Sequence, residues 1–254
     1  MRQEPRRHLQ IDPHEADVPA LMQKVDYRLK RDFYPVLESD GYSPSGQYPR
    51  EWTVVKNGVV CALKVTPSYP NSPHRVGEEG VVVDLAATYP MAAYGDTRLT
   101  DEPGLAGVGL GADVGGYLQR TERPPRAAIG YEWDLGILTP DETVADILAA
   151  YENAGRPFFD LWSNPERAWH EMHAEFVQDE RDVGGIYRLG PAPKSIAEIE
   201  FHMKVAARLD KVSEEIDLLN QLAEVHINDH GLNGLGEPYE TRLRELELIQ
   251  SRPR

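Results

Sequence analysis

Residues 51–66 read EWTVVKNGVVCALKVT, and this stretch predicts the centre of the fold. Two runs rich in β-branched and aromatic residues flank Asn57-Gly58, a dipeptide that favours a type I′ hairpin turn because both of its residues tolerate positive φ. A two-residue loop fixes the register of the hairpin. The expected pairs are Lys56 with Val59, Val54 with Cys61, Trp52 with Leu63, and Glu51 with Lys64.

A third apolar run at 81–86 supplies another strand, which a hairpin needs because two strands alone are marginally stable in water. The predicted register gives the hairpin two different faces. One face carries Trp52, Val54, Cys61 and Leu63; the other carries Thr53, Val55, Val60 and Ala62, closed by the Glu51/Lys64 pair. We expect helices to cover the Trp52 face. The fold class is therefore α+β, with a small antiparallel meander covered by helices and a C-terminal helical segment.

Helical periodicity appears in the sequence both before and after the predicted sheet. The first stripe at helical spacing comprises Val18, Leu21, Met22, Val25, Leu29 and Phe33. We expect that helix to begin at Asp12 and to end or kink at Pro35. Thr139 with Glu142, and Ser163 with Glu166, have the spacing of capping boxes and predict two more helix starts. Gly155 and Pro157 are expected to end the first of these two helices.

The predicted organisation is an α+β domain at 12–190 followed by a helical segment at 195–250 packed on it. The pattern at 195–226 fits one long helix, or two helices broken near 209–211. Residues 88–131 predict a long Gly/Pro-rich loop. Its glycines at 103–116 follow neither the dinucleotide-binding spacing nor the P-loop spacing, so we expect no nucleotide cofactor there.

The net charge of −15 over 254 residues argues against nucleic acid or an anionic membrane surface as a partner. No apolar segment is long enough to span a bilayer, and residues 1–11 lack the apolar core of a secretory signal. The single cysteine fits a reducing compartment. These features predict a soluble, cytoplasmic protein; they leave the oligomeric state open.

Few residues offer catalytic or metal-binding chemistry. Cys61 lies in a predicted strand, which favours a buried apolar role over a nucleophilic one. His170 and His173 lack the zinc-binding HExxH spacing and fit a solvated helix face. The pair at 226 and 230 stands before Gly231, where imidazolium favours the helix dipole, so a helix-capping role is preferred to a metal site. We therefore expect no metal, no cofactor and no catalytic residue.

The clearest functional signal is a run of negative charge at 134–182. It holds twelve acidic residues and three arginines, a net charge of −9 over 49 residues. This run is either a solubilising surface or a docking face for a basic protein, where complementary charge speeds encounter. The residues expected to bind such a partner lie along the helix that follows Ser163: Glu166, Glu171, Glu175 and Asp179.

Three segments carry a resemblance to known proteins: LESDGY at 37–42, YEWDL at 131–135 and GRPF at 155–158. Their order resembles an uncharacterised bacterial family built from an N-terminal helix, a β-meander and trailing helices, over about residues 15–225. Some such acidic proteins are candidate immunity proteins encoded beside toxins. The resemblance implies a non-catalytic immunity or adaptor protein that binds a basic partner. The alternative is a hydrolase with a pocket under the 88–131 loop.

Overall fold

A computed structural model describes residues 18–45, 50–68, 80–90, 113–121, 132–173, 182–183, 186–189, 196–230 and 235–252. Its strands are β1 Ser43–Pro44, β2 Glu51–Lys56, β3 Val59–Ser68, β4 Gly80–Thr88, β5 Val114–Leu118, β6 Glu132–Asp134, β7 Asp182–Val183 and β8 Ile186–Leu189. Its α-helices are α1 Val18–Arg28, α2 Tyr34–Ser39, α3 Pro140–Ala150, α4 Arg156–Trp162, α5 Pro165–His173, α6 Ile196–Arg208, α7 Val212–His230 and α8 Tyr239–Gln250.

The hairpin forms in the predicted register. The Cα partners of β2 and β3 include all four expected pairs, from Lys56 with Val59 to Glu51 with Lys64. Asn57 and Gly58 have φ of 52° and 72°, the two positive values that a type I′ turn requires. The local turn chemistry of this stretch is therefore sufficient to set the register of the sheet's central strands.

One antiparallel sheet contains every described strand, in the order β1-β2-β3-β4-β5-β8-β7, with β6 also paired to β4. The main hydrophobic cluster uses one sheet face, which includes Trp52, Cys61, Leu63, Val83 and Leu85. Side chains from α1 to α6 complete this cluster. Helices therefore cover the Trp52 face as predicted, and the α+β class with an antiparallel sheet is confirmed.

The segment at 88–131 is not one continuous loop. Val114–Leu118 form β5, in which Gly115 and Gly116 pair with Ala86 and Leu85. A Cβ at Gly115 would lie 3.5 Å from the Leu85 carbonyl oxygen, so the strand tolerates a side chain there sterically. Residues 91–112 and 122–131 lie outside the described residues, and most of the glycine-rich stretch at 103–116 falls among them.

Two prolines expected to end helices are instead accommodated within continuing helical segments. A π-helical turn at Leu29–Phe33 joins α1 to α2, and another at Tyr151–Gly155 joins α3 to α4. Pro35 and Pro157 then stand in the first turn of α2 and α4, where a missing N–H is tolerated. The expected end at Gly155 with Pro157 is therefore wrong, and of the two alternatives expected at Pro35, an end or a kink, the end is wrong.

The ends of two helical segments follow from capping chemistry. The first segment stops at Ser39, where Gly41 has φ of 88° and the N–H of Tyr42 donates to the Leu37 carbonyl at 2.9 Å. At the start of α3, the Thr139 side chain accepts from the Glu142 N–H, and the Glu142 carboxylate accepts from the Thr139 N–H. The predicted capping box of α3 is thus present.

The C-terminal pattern divides into two helices. Asp210 has φ of 52° between α6 and α7, and the N–H of Lys211 donates to the Ala206 carbonyl. This left-handed residue breaks the helix at the predicted place. A second hydrophobic cluster, centred on Met203, Leu219, Leu222 and Leu246, packs α6, α7 and α8 together.

Helix α6 is the link between the two clusters. Phe201 and Val205 belong to the main cluster, whereas Ile199 and Met203 belong to the second one. Its polar side chains also reach the sheet: the Lys204 ammonium donates to Asp113 Oδ1 at 2.7 Å. Arg208 Nη2 donates to the carbonyl oxygens of Gly58 and Pro90 at 2.9 and 3.0 Å. Helix α6 is therefore bound both to the hairpin turn and to the segment that enters β5.

Candidate functional site

The structure places only part of the predicted partner-binding set. Glu166 lies in the first turn of α5 and is exposed. Glu171 lies in the same helix, is half-buried, and already interacts with another residue. Glu175 and Asp179 lie outside the described residues. The prediction that these four residues bind a partner therefore stays a prediction.

Helix α5 begins one residue later than the capping-box spacing indicates. Ser163 is buried and follows the last residue of α4. Asn164 provides the N-terminal cap, because its Oδ1 accepts from the Arg167 N–H at 3.1 Å. Ala168 and Met172 face the main cluster, which leaves Glu166, Arg167 and His170 exposed.

Folding neutralises much of the acidic run outside α5. Basic residues, most of them from other parts of the chain, reach the acidic side chains of α3, α4 and the π turn between them. The pairs are Arg28 with Asp141, Arg120 with Asp146, Arg156 with Glu152, and Lys56 with Asp160. Glu142 is engaged in its capping box. The net charge of the sequence segment therefore overstates the acidity of the surface that these residues form.

A polar row on the opposite side of the sheet extends the predicted Glu51/Lys64 pair, and its extension to β4 and β5 was not predicted. Glu51, Lys64, Asp84 and Tyr117 are successive Cα partners across β2, β3, β4 and β5. Four adjacent strands place this row over roughly 14 Å. The row lies on the second sheet face, defined here as the face of these four residues and of Thr53, Ala62 and Ala86. The sequence signals were the Glu51/Lys64 pair of the hairpin and an aspartate in the apolar run at 81–86.

Part of the second sheet face is closed to solvent although it is polar. Glu51, Thr53 and Ala62 are 1%, 2% and 1% exposed, yet none of them belongs to either hydrophobic cluster. The Glu51 carboxylate accepts from the Ser45 hydroxyl at 2.9 Å. The Thr53 hydroxyl is buried and has no hydrogen-bond partner among the described residues. Buried polar groups of this kind are found more often at functional sites than in simple cores.

Asp84 is the row's most perturbed acid. Burial raises the pKa of its carboxyl above the ordinary 3.8, although the Thr66 hydroxyl, which donates to it at 2.8 Å, and nearby Lys64 oppose the shift. A raised pKa means that the charged form is less favourable in the folded state than in the unfolded state. Asp84 is consequently a carboxyl group whose protonation the fold favours, as general acids require.

Replacing Asp84 with asparagine should stabilise the protein at pH 7, because the variant no longer buries a carboxylate. The gain should shrink as pH falls through the raised pKa, and it should vanish below 3.8, where both states of the wild type are protonated. Urea unfolding at several pH values measures this difference. Exposed Asp217→Asn is the matched control and should stay near wild type throughout. A gain for Asp84→Asn that does not change with pH would contradict the assignment.

A second polar network joins the end of α2 to the second π-helical turn and to the start of α4. Asp40 Oδ2 accepts from the Tyr151 hydroxyl and from Arg156 Nε, both at 2.8 Å. Burial raises the pKa of the Asp40 carboxyl, but the bonds from Arg156 and Tyr151 lower it more, so the net pKa lies below 3.8. Burial also raises the pKa of Tyr151, and its bond to Asp40 adds to this. Both groups thus keep their ordinary protonation at neutral pH, which fits a structural network.

The structure places the cysteine in the main core and two of the histidines in α7. Cys61 is buried, and burial raises the pKa of its thiol to about 12, so its predicted apolar role is confirmed. His226 lies within α7 and His230 is the last residue of that helix. In the described part of the chain, no group of three or more His, Cys, Asp or Glu side chains is placed to hold a metal ion.

Comparisons with known proteins found no match for the chain. It matches no protein-family model, no curated protein and no solved structure. Site residues therefore have to come from the chain's own geometry. Among the described helices, none is long and apolar enough to cross a membrane.

Proposed function

We propose that the protein is a non-catalytic binding module, of the immunity or adaptor type, that engages a basic protein partner. Its docking surface would be formed by Glu166, Glu171, Glu175 and Asp179, on α5 and the residues after it. The observation that carries this proposal is the position of Glu166. This carboxylate is exposed and makes no ion pair with a described residue, whereas the acidic side chains of α3 and α4 are largely paired.

Charge would act mainly on encounter with the partner. A surface with unbalanced negative charge steers a basic protein towards it and raises the association rate, and salt screens this attraction over about 10 Å at 0.1 M. The net charge of −15 adds to the long-range part of the field. Partner identity would then depend on the shape and hydrogen bonding of the surface around α5, since charge alone discriminates poorly.

A hydrolytic enzyme is the second candidate, and the polar row on the second sheet face favours it. That row contains Asp84, whose carboxyl pKa is raised, and Tyr117 of β5, which lies inside the 88–131 segment expected to cover a pocket. A raised carboxyl pKa beside a lysine and a tyrosine offers general acid chemistry. This candidate predicts a small-molecule ligand, whereas the first predicts a protein.

Reversing charge on the proposed docking surface tests the first candidate. Glu166→Lys combined with Glu175→Lys should slow association with a partner captured from the source organism by about threefold to tenfold at low salt, with little change at high salt. Surface plasmon resonance with the captured and then purified protein measures both rates. The matched control is Asp217→Lys with Glu224→Lys on α7, where both side chains are exposed and the change in net charge is equal. If both variants associate with the partner at the same rate, α5 is not the docking surface. The enzyme then becomes the preferred candidate.

A further inference from the structure

Asp146 of α3 is the centre of a polar cluster where β5, β6 and α3 meet. Its Oδ2 accepts from Trp133 Nε1 at 2.7 Å, and its Oδ1 accepts from the Thr121 hydroxyl and from the Thr121 N–H. Both carboxylate oxygens are therefore already engaged by good donors. Any further donor near Asp146 has to find its acceptor elsewhere.

Arg120 is such a donor. Its side chain is 7% exposed, and its Nε lies 3.7 Å from Asp146 Oδ2, too far for a hydrogen bond. Both Nε and Nη1 are buried and have no hydrogen-bond partner among the described residues. By contrast, Arg50, Arg156 and Arg242 each donate two hydrogen bonds to a single carboxylate.

A third unpartnered group lies close by in the sequence of α3. Thr143 precedes Asp146 by three residues, which places the two side chains on the same face of the helix. Thr143 is fully buried, and its hydroxyl has no hydrogen-bond partner in the described part of the chain. Two guanidinium nitrogens beside Asp146 and one hydroxyl one helical turn before it thus lack a hydrogen-bond partner among the described residues.

We propose that Arg120 and Thr143 form a binding site for the oxyanion group of a small ligand, a carboxylate or a phosphate. Such groups offer several acceptor oxygens, and a guanidinium binds them with charge-assisted hydrogen bonds. Leaving buried guanidinium donors without acceptors is unfavourable, so an oxyanion that supplies them stabilises the folded state. Asp146 influences which ligand binds. Its negative charge repels a ligand with a second oxyanion group and favours a ligand that also carries hydrogen-bond donors.

Solvent-exposed residues lie next to the site in the sequence. Thr121, the residue after Arg120, is exposed, as are Glu142 and Ala145 on α3. The cluster therefore lies at the rim of the sheet, one residue from the surface. It is separate from the proposed docking surface on α5, so success or failure of either proposal leaves the other unchanged.

Anion titration of the full chain tests the proposal. Sodium phosphate and sodium acetate are the two probes, with sodium chloride of equal ionic strength as the reference. We expect one probe to bind with 1:1 stoichiometry by calorimetry, with a Kd on the order of 1 mM. At ten times that Kd it should raise Tm by about 3–5 °C. Arg120→Met should abolish the shift, and Arg50→Met, which removes a guanidinium that is already paired, should retain it.

Two further measurements keep the result decisive if Arg120→Met folds poorly. Thr143→Val, which preserves the shape of the side chain, should weaken binding of the effective probe several-fold. In protein with ¹⁵N-labelled arginine, one Nε–H resonance should shift saturably with the same probe. The proposal is overturned if neither probe gives a saturable response beyond chloride. It is also overturned if Arg120→Met responds like the wild type, which would mark the binding as an adventitious ion only.

Discussion

Replacing Lys204 with methionine is expected to destabilise the protein by about 3–5 kcal/mol, the range for removing one partner of a buried ion pair. Lys204 and Asp113 have side-chain exposures of 10% and 8%, so the variant would remove a cationic hydrogen-bond donor from a buried carboxylate. Asp113 Oδ2 would still accept from the Tyr89 N–H at 2.6 Å, which offsets only part of that charge. Equilibrium unfolding in urea measures the loss.

Lys56→Met is the matched control for this variant. Lys56 pairs with Asp160 at 3.8 Å across an exposed surface, and such pairs contribute less than about 1 kcal/mol. Adding Asp113→Asn to Lys204→Met should recover much of the loss, because the amide oxygen still accepts from Tyr89 without a charge. Equal small losses for Lys204→Met and Lys56→Met would show that the pair between α6 and the sheet contributes little.

Substituting valine for Gly58 should destabilise the protein by about 3–4 kcal/mol, from two separate causes. A β-branched residue resists the φ of 72° that the turn requires, which costs about 1–3 kcal/mol. A Cβ would also lie 2.8 Å from Arg208 Nη1, and would displace the guanidinium that donates to the Gly58 and Pro90 carbonyl oxygens. Denaturant unfolding monitored by circular dichroism measures the sum.

Gly236→Val separates the two causes. Gly236 has φ of 69°, nearly that of Gly58, but a Cβ there would meet nothing within 4 Å. This control should therefore show the backbone cost alone, about 1–3 kcal/mol. The excess for Gly58→Val is the contribution of the Arg208 contact. Similar losses for both variants would mean that Arg208 moves aside freely.

The parts of the fold that the sequence predicted depend on short-range chemistry. Asn57-Gly58 sets the turn, and thereby the register of β2 with β3, through the φ values of two adjacent residues. The capping box at Thr139 and Glu142 needs only four residues, and the break at Asp210 arises within one helical turn. Each of these features is determined by neighbours along the chain.

The parts that were missed depend on distant partners. Gly115 and Gly116 have low strand propensity, and they form β5 because β4 and β8 offer hydrogen bonds on both sides. Pro35 and Pro157 indicate helix ends locally. However, the two π-helical turns pack against each other in the main core, where the ring centroids of Phe33 and Tyr151 lie 5.5 Å apart. Tertiary packing therefore overrides the local signal.

The candidate sites are hard to predict for the same reason. The row from Glu51 to Tyr117 brings together residues from four strands; the hairpin register predicts Glu51 with Lys64, but Asp84 and Tyr117 come from strands that are distant in the sequence. The cluster of Arg120 and Asp146 joins positions 26 residues apart through a helix and a strand end. The acidic run at 134–182 was visible because it is contiguous, and folding then paired many of its charges with residues from other elements.

The position of α6 in both hydrophobic clusters has a consequence for biosynthesis. The main cluster extends from Met22 to Val205, so its last members are synthesised only after four-fifths of the chain. From the end of β4 at Thr88 to Val205, synthesis at 5–20 residues per second takes roughly 6–23 s, during which the Trp52 face of the sheet lacks part of its cover. The nascent chain therefore exposes an incomplete apolar surface for a large part of its translation, and completion of its core is a late event that follows the arrival of α6.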